Sequence, residues 1–244
     1  MTTPQLPSRE EVVALCARLG YKTNGFAYNS QIWIKYGPGA TLAEATTQQF
    51  VRNNADRRVV YIPEVYDSFS STPPGMPEIT YIVMEKVEGE DYVDYIKQHP
   101  EEADTVLQAI ASTVRHIWSL PIPPNTSPGP FGGQIPVDRF FSDYSAGRTF
   151  RDLAQLEGWI NGKLIAVNRP ERVDFSSQQL GLRHLDLTQY NILVTKPITI
   201  IDWGFSGIYP VAFEEYVSPW YKYHISVFIL PRYILPIIVL LQCY

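Results

Sequence analysis

His184-Leu-Asp186-Leu-Thr-Gln-Tyr-Asn191-Ile-Leu-Val194, followed by Ile198-Thr-Ile-Ile-Asp202-Trp-Gly204, is the stretch on which the reading of this chain turns. The runs Asn191 to Thr195 and Ile198 to Ile201 are short and rich in β-branched residues, so they pair as strands about Lys196-Pro197. Two carboxylates and one amide thereby gather around a single hairpin. An aspartate in a loop can accept or orient the proton of a substrate hydroxyl. An asparagine five residues on and a second aspartate at a strand end both offer hard oxygens to Mg²⁺. The grouping suits phosphoryl transfer, in which the metal neutralises charge on the transferring group. Any one of these residues alone reads as turn chemistry, because Asp and Asn side chains bond their own backbone. The ordered set carries the functional reading.

Working outward, the local signals alternate between caps and strands. Ser8-Arg-Glu-Glu11 is a capping box opening a helix with an apolar face of Val12, Val13, Leu15, Cys16 and Leu19, and Gly20 stops it. Gly25 to Tyr36 reads as a β-hairpin turning at Tyr28-Asn29-Ser30. Thr41-Leu-Ala-Glu44 is a second capping box, opening a helix to about Asn54. Strand-like runs follow at Glu64 to Phe69 and Ile79 to Val87. Beyond Gly89 helical patterns dominate, over Asp91 to His99, Pro100 to Leu120 and Phe150 to Val167, with a proline- and glycine-rich loop from Pro121 to Pro136. The last clear strands are the pair around Lys196-Pro197.

The spacing His-x-Asp-x₄-Asn followed by Ile-Ile-Asp-Trp resembles the catalytic and metal loops of the aminoglycoside phosphotransferase family, fungal members best, a family similar in fold to protein kinases and choline kinases. Ile34-Lys35-Tyr36-Gly37, Glu44 and Ile82-Val-Met-Glu85-Lys-Val87-Glu-Gly89 resemble its phosphate-binding lysine, that lysine's partner glutamate and its nucleotide hinge. The resemblance runs from about Gly20 to Val217. It implies an α+β, two-lobed protein-kinase-like fold with an antiparallel sheet and helices in the N-terminal lobe and a mostly helical C-terminal lobe. Residues 1–88 would form the nucleotide-binding lobe, 89–217 a partial catalytic lobe, and 218–244 an atypical apolar tail. It further implies Asp186 as catalytic base, Asn191 and Asp202 as Mg²⁺ ligands, Lys35 on the ATP phosphates, Glu44 holding Lys35, and the backbone of Glu85 and Val87 meeting the adenine. His184 would support the loop. Leu185 stands where many relatives carry glycine.

Several alternatives stay open on the residues themselves. Glu44 can bind the Thr41 backbone as the third position of its capping box, and Lys35 can be a solvated edge-strand lysine. There is no Walker A motif and no G-x-G-x-x-G, so Thr23 to Ser30 is the candidate phosphate loop. His99, His116 and His224 read as isolated, without a second ligand at metal spacing.

With 45% hydrophobic and 18% charged residues in 244, the chain is an ordered globular protein. A net charge of −5 offers no general basic field for nucleic acid, so no nucleic-acid partner is expected. Cys16 and Cys243 form neither a disulfide framework nor a metal spacing, and with no signal peptide the expected setting is cytoplasmic. After Asp202 the chain continues only to Tyr244, and residues 225–244 are almost wholly apolar, broken by Pro231, Arg232 and Pro236. That stretch reads as a membrane anchor, a buried replacement helix or the product of a misread splice junction, and membrane contact is expected through it alone. The expected activity is an ATP- and Mg²⁺-dependent small-molecule kinase acting on a hydroxyl acceptor. The alternative is an inactive or truncated kinase-like protein that keeps at most nucleotide binding. A protein kinase fits less well, because Leu185 and not an arginine stands between His184 and Asp186, there is no glycine-rich loop, and no Ala-Pro-Glu follows Asp202.

Overall fold

A computed structural model describes residues 4–21, 25–137, 140–141 and 145–217. The expected leading helix, α1 (Arg9–Leu19), starts where Ser8 Oγ accepts the Glu11 N–H at 3.2 Å and ends at Gly20, whose φ of +77° suits a residue without a Cβ. Glu11 takes the Tyr28 hydroxyl at 2.8 Å with its carboxylate. The hairpin follows as β1 (Gly25–Ala27) and β2 (Ile32–Gly37), and Asn29 Oδ1 closes its turn by accepting the N–H groups of Gln31 and Ile32.

Helix α2 (Leu42–Asn54) leads to β3 (Val60–Tyr61), β4 (Val65–Ser71) and β5 (Ile79–Glu85). An antiparallel sheet in the order β1-β2-β5-β4 results. Period-2 alternation sorts its two faces. Ile32, Ile34 and Tyr36 join Ile79, Tyr81, Val83 and Phe69 in a core sealed by Val12 and Cys16 of α1, while Trp33 and Lys35 point the other way. Arg9 fastens α1 to β4 through two bonds to Asp67, at 2.7 and 2.8 Å.

The second half holds α3 (Tyr92–Gln98), capped by Asp91, then α4 (Ala103–Trp118) and α5 (Leu153–Ala166). Two boundaries shift from expectation for local reasons. Pro100 to Glu102 forms a separate 3₁₀ turn before α4, and Asp152 Oδ1 caps α5 at the Gln155 N–H, so that helix starts after Phe150. Strands β6 (Leu180–Arg183), β7 (Ile192–Leu193), β8 (Ile198–Ile200) and β9 (Gly207–Pro210), then α6 (Val211–Val217), complete the described chain. The expected β7–β8 hairpin is present, but β9 comes later than the last strand read from sequence. Its four residues begin with glycine and end with proline, which disguises it. Strand β3 runs parallel to β8, so the sheet β3-β8-β7 draws residues from both sides of Gly89.

The largest core packs α4 against β6, β7, β8, Val51, Val60 and Trp203. No helix among the described residues is long and apolar enough to cross a membrane. The apolar tail, Cys243, His224 and part of the candidate phosphate loop lie outside the described residues.

Ile110 of α4 is fully buried in that core. Ile110→Ala is expected to lower the unfolding free energy by about 2–5 kcal/mol, read as a reduced urea midpoint with an unchanged slope.

Candidate functional site

Three segments distant in sequence meet at Lys35. Strand β2 turns its side chain away from the N-terminal core, α2 places Glu44 in its first turn, and the chain leaving β8 supplies Asp202. Lys35 Nζ donates to Glu44 Oε1 at 2.6 Å and to Asp202 Oδ1 at 2.8 Å. The two alternatives for Glu44 are thereby decided. Thr41 Oγ1 accepts the Glu44 N–H at 3.0 Å, which is half a capping box, while the carboxylate goes to Lys35. Lys35 is no solvated edge lysine, since its side chain is only 16% exposed and β2 lies between β1 and β5.

Charge balance at this point is three-way. Burial works to lower the Lys35 pKa, but the carboxyls of Glu44 and Asp202 outweigh it and hold the ammonium above its ordinary range. Burial likewise pushes Asp202 up, and the Lys35 ammonium overrides it, leaving the carboxyl below its ordinary value. Glu44, enclosed on all sides, is carried upward by burial against the pull of Lys35. Its second oxygen, Oε2, has no hydrogen-bond partner among the described residues. Gly204 closes the group from below: a Cβ there would stand 3.4 to 3.5 Å from Asp202 Oδ1, Glu44 Oε2 and Lys35 Nζ.

The second cluster is the loop after β6. Both oxygens of Glu214, a fully buried residue of α6, accept consecutive main-chain N–H groups, Oε2 from His184 at 2.8 Å and Oε1 from Leu185 at 2.9 Å. His184 Nδ1 accepts the Asp186 N–H at 3.2 Å, and its Nε2 faces the Ile201 carbonyl at 3.1 Å. Those two partners assign the Nε2–H tautomer. Asn191 Nδ2 donates to the main-chain oxygen of Asp186 at 2.8 Å and to its Oδ2 at 3.1 Å. With both amide hydrogens spent inward, the side-chain oxygen of Asn191 is its remaining polar atom. The Ile201 N–H donates to the Asn191 carbonyl at 3.0 Å, so the Asp186–Asn191 pair and Asp202 hang from neighbouring strands.

Leu185 and Asp202 both have φ of +62°, the left-handed region that L side chains resist. Leu185 holds that geometry because its side chain is fully buried beside Phe213 and Tyr209. The position where the resemblance leads to an expectation of glycine is therefore a left-handed turn, filled here by a leucine that packs.

The hinge residues stand apart from these clusters. Glu85 N–H donates to the Glu64 carbonyl at 2.7 Å, and the Glu85 carboxylate accepts from Tyr61 Oη at 2.6 Å and from the Glu64 N–H at 3.0 Å. Its side chain fixes the end of β5 to β3 and β4. Val87, half-buried, follows on the way to α3. Trp33 shares the sheet face of Lys35, two residues earlier, and stays 37% exposed. Its indole lies against Gly25, where a Cβ would come within 2.7 Å of Trp33 Nε1. His116 is structural, accepting the Asp56 N–H at 2.8 Å. His99, read from sequence as isolated, has Glu101 and Glu102 around it, with ligand atoms within 4.8 Å of one another at the protein surface.

Glu214 was not singled out from sequence. No spacing rule connects it to the loop 29 and 30 residues earlier, and its partners are main-chain atoms.

An α+β fold carrying a lysine between two carboxylates, next to an aspartate–asparagine loop, is of the kinase-like class. The model of the phosphotransferase enzyme family matches residues 38–223, and the chain belongs to that family. Among solved structures, the GDP and kanamycin complex of APH(2")-IIia superposes with a TM-score of 0.51 at 14% identity, covering 84% of this chain and 72% of that one. A thermostable mutant of aminoglycoside phosphotransferase APH(4)-Ia in its apo form gives 0.48 at 18% identity, over 78% of this chain and 65% of that one. The GDP complex of wild-type aminoglycoside 2'-phosphotransferase-IIIa gives 0.47 at 14% identity, over 86% and 74%. The chain thus spans just under two thirds of the length of the APH(4)-Ia structure. No curated protein matches.

Two variants test the loop. Glu214→Gln replaces one acceptor oxygen by an NH₂ that faces a main-chain donor, and is expected to cost about 1–3 kcal/mol in urea unfolding. Leu185→Gly would relieve about 1 kcal/mol of backbone strain but forfeit about 1.5–3 kcal/mol of side-chain burial, so its midpoint is expected to fall; a rise would show that the turn, not the packing, dominates.

Proposed function

We propose that this chain is an ATP- and Mg²⁺-dependent phosphotransferase that moves the γ-phosphoryl group of ATP to a hydroxyl of a small-molecule acceptor. The observation that carries the reading is the lysine held at 2.6 and 2.8 Å by Glu44 and Asp202, beside a loop in which Asn191 fixes Asp186. In this reading Lys35 binds phosphate oxygens, Glu44 keeps it extended, and the backbone of Glu85 and Val87 meets the adenine. Asp186 orients the acceptor hydroxyl and takes its proton as the acceptor oxygen bonds to the γ-phosphorus and the bond to the bridging oxygen of ADP breaks.

The donor set fits Mg²⁺. Asp202 presents a half-exposed carboxylate, and Asn191 has its amide oxygen left over, both hard oxygen donors. These two residues would hold the ion, which supplies neutralisation of phosphate charge when bound. Lys35 contributes a fixed cation that burial alone would tend to discharge and that its two partners keep charged. ATP as donor points to a cytoplasmic setting. Amino-sugar alcohols of the kind named for the APH(2")-IIia kanamycin complex are the first acceptors to screen.

The Lys35, Glu44 and Asp202 group, which would serve nucleotide binding alone, also fits a second reading, a chain that binds nucleotide without transferring phosphate. Thermal-shift titration separates the two when paired with an ADP-release assay over an acceptor panel. Wild type is expected to show a Mg²⁺-dependent rise with ATP that Asp202→Ala loses. Asp186→Ala is expected to keep the rise and lose turnover by about 10²–10⁴-fold. A rise with no turnover on any acceptor would favour the binding-only reading. Near-normal turnover in Asp186→Ala would sink the assignment of the base.

A further inference from the structure

Helix α2 must stand correctly for Glu44 to reach Lys35, and its other long polar side chains tie it to the segment before β4 and to the end of β5. Gln48 Nε2 donates to the Pro63 carbonyl at 2.8 Å, and Arg52 reaches the Ile62 carbonyl and the Glu64 carboxylate. With Met84 Sδ at 3.8 Å from Gln48 Nε2 and the Glu85 carboxylate at 3.7 Å from Arg52, those partners lie within the first 85 residues. Val51 and Phe50 carry α2 into the core built around α4, and there the Phe50 ring packs on the Phe131 ring with centroids 4.6 Å apart and planes tilted by 32°.

Phe131 belongs to the long loop before α5, and that loop is pinned close to it. Gly129 N–H donates to the Ile208 carbonyl at 3.0 Å, and Ile208 N–H donates back to the Gly129 carbonyl at 2.8 Å, adding one bridge to the free edge of β9. The approach is so close that a Cβ at Gly207 would lie 2.6 Å from the Gly129 oxygen. Gly132 and Gly133, with φ of +85° and +70°, then turn the chain back immediately after the ring. The loop is therefore a strap. Its bridge at Gly129 grips the chain six residues after Asp202, and its ring rests on the helix six residues after Glu44.

We propose that Phe131 is a positioning residue: its stacking on Phe50 ties α2 to the segment leading from Asp202 into β9, and so keeps Lys35 between its two carboxylates. The proposal rests on the phosphotransferase reading for its effect on activity, but not for its effect on structure. Phe131 touches neither Lys35, Glu44 nor Asp202 in any recorded contact; it acts on where their backbones stand.

The test compares Phe131→Ala, Phe131→Leu and Phe131→Tyr with Phe50→Ala and the double Phe50→Ala/Phe131→Ala variant, all in the full chain. Phe131→Ala is expected to raise the KM for ATP about two- to tenfold, the range that loss of one aromatic pair spans, with the acceptor KM unchanged. Phe131→Tyr should restore the wild-type value and Phe131→Leu should fall between. The double variant should be no worse than Phe50→Ala alone, because both changes remove the same contact. A raised acceptor KM with an unchanged ATP KM would overturn the proposal and make the strap an acceptor wall only. Additive single effects would overturn it as well. If wild type gives no Mg²⁺-ATP shift, the phosphotransferase reading fails, and amide hydrogen exchange of the unliganded chain decides the strap. Faster exchange in α2 and at Ile208 together in Phe131→Ala supports it, and unchanged exchange in α2 overturns it.

Discussion

Everything in the site depends on keeping one ammonium charged in a nearly buried position. Lys35 is largely shielded from water, and Glu44 and Asp202 within hydrogen-bond distance offset the burial that would otherwise discharge it. That requirement sets the architecture. Strand β2 must lie inside the sheet, α2 must pack beside β4 and β5 with its first turn at the lysine, and the chain after β8 must bring Asp202 to the same ammonium. Removing either carboxylate leaves a buried charge short of a partner, a cost of several kcal/mol in comparable settings. Gly204 adjoins the same group, and a Cβ there would meet all three charged side chains at ordinary contact distance.

The second cluster answers a different constraint, which is to hold a loop rigid, mainly through main-chain groups. Glu214 does this with main-chain bonds, His184 spans from the Asp186 amide to the Ile201 carbonyl, and Asn191 spends its donors on Asp186. The carboxylate of Asp186 is thus oriented from its own backbone outward. Preorganisation of this kind avoids rearrangement when a ligand arrives. The two clusters share strands β7 and β8, so a shift in that hairpin would move both.

Legibility differed by how far each feature reaches along the chain. The caps at Ser8 and Thr41, the Asn29 turn and the β7–β8 hairpin are settled by residues within a few positions of one another, and all were readable. Strands β3, β6 and β9 were not. They are two to four residues long and take their definition from partners far away, as with Val60 beside Ile198 and Gly207 beside Arg183. Glu44 sat between these cases. A capping role and an ion pair with Lys35 both fit its local sequence, and only the packing of α2 on the sheet assigns the carboxylate to the lysine.

By itself, then, the sequence determined which residues to propose for the chemistry, because the order His184, Asp186, Asn191 and Asp202 with an upstream lysine and glutamate is a pattern of local spacings. Tertiary structure alone decided how they are joined. Glu214 beneath the loop, Phe131 against Phe50 and Asp202 on Lys35 are contacts across 29 to 167 residues of chain. No spacing rule specifies such contacts, since they exist only once the helices and strands have packed and the buried polar groups have found partners.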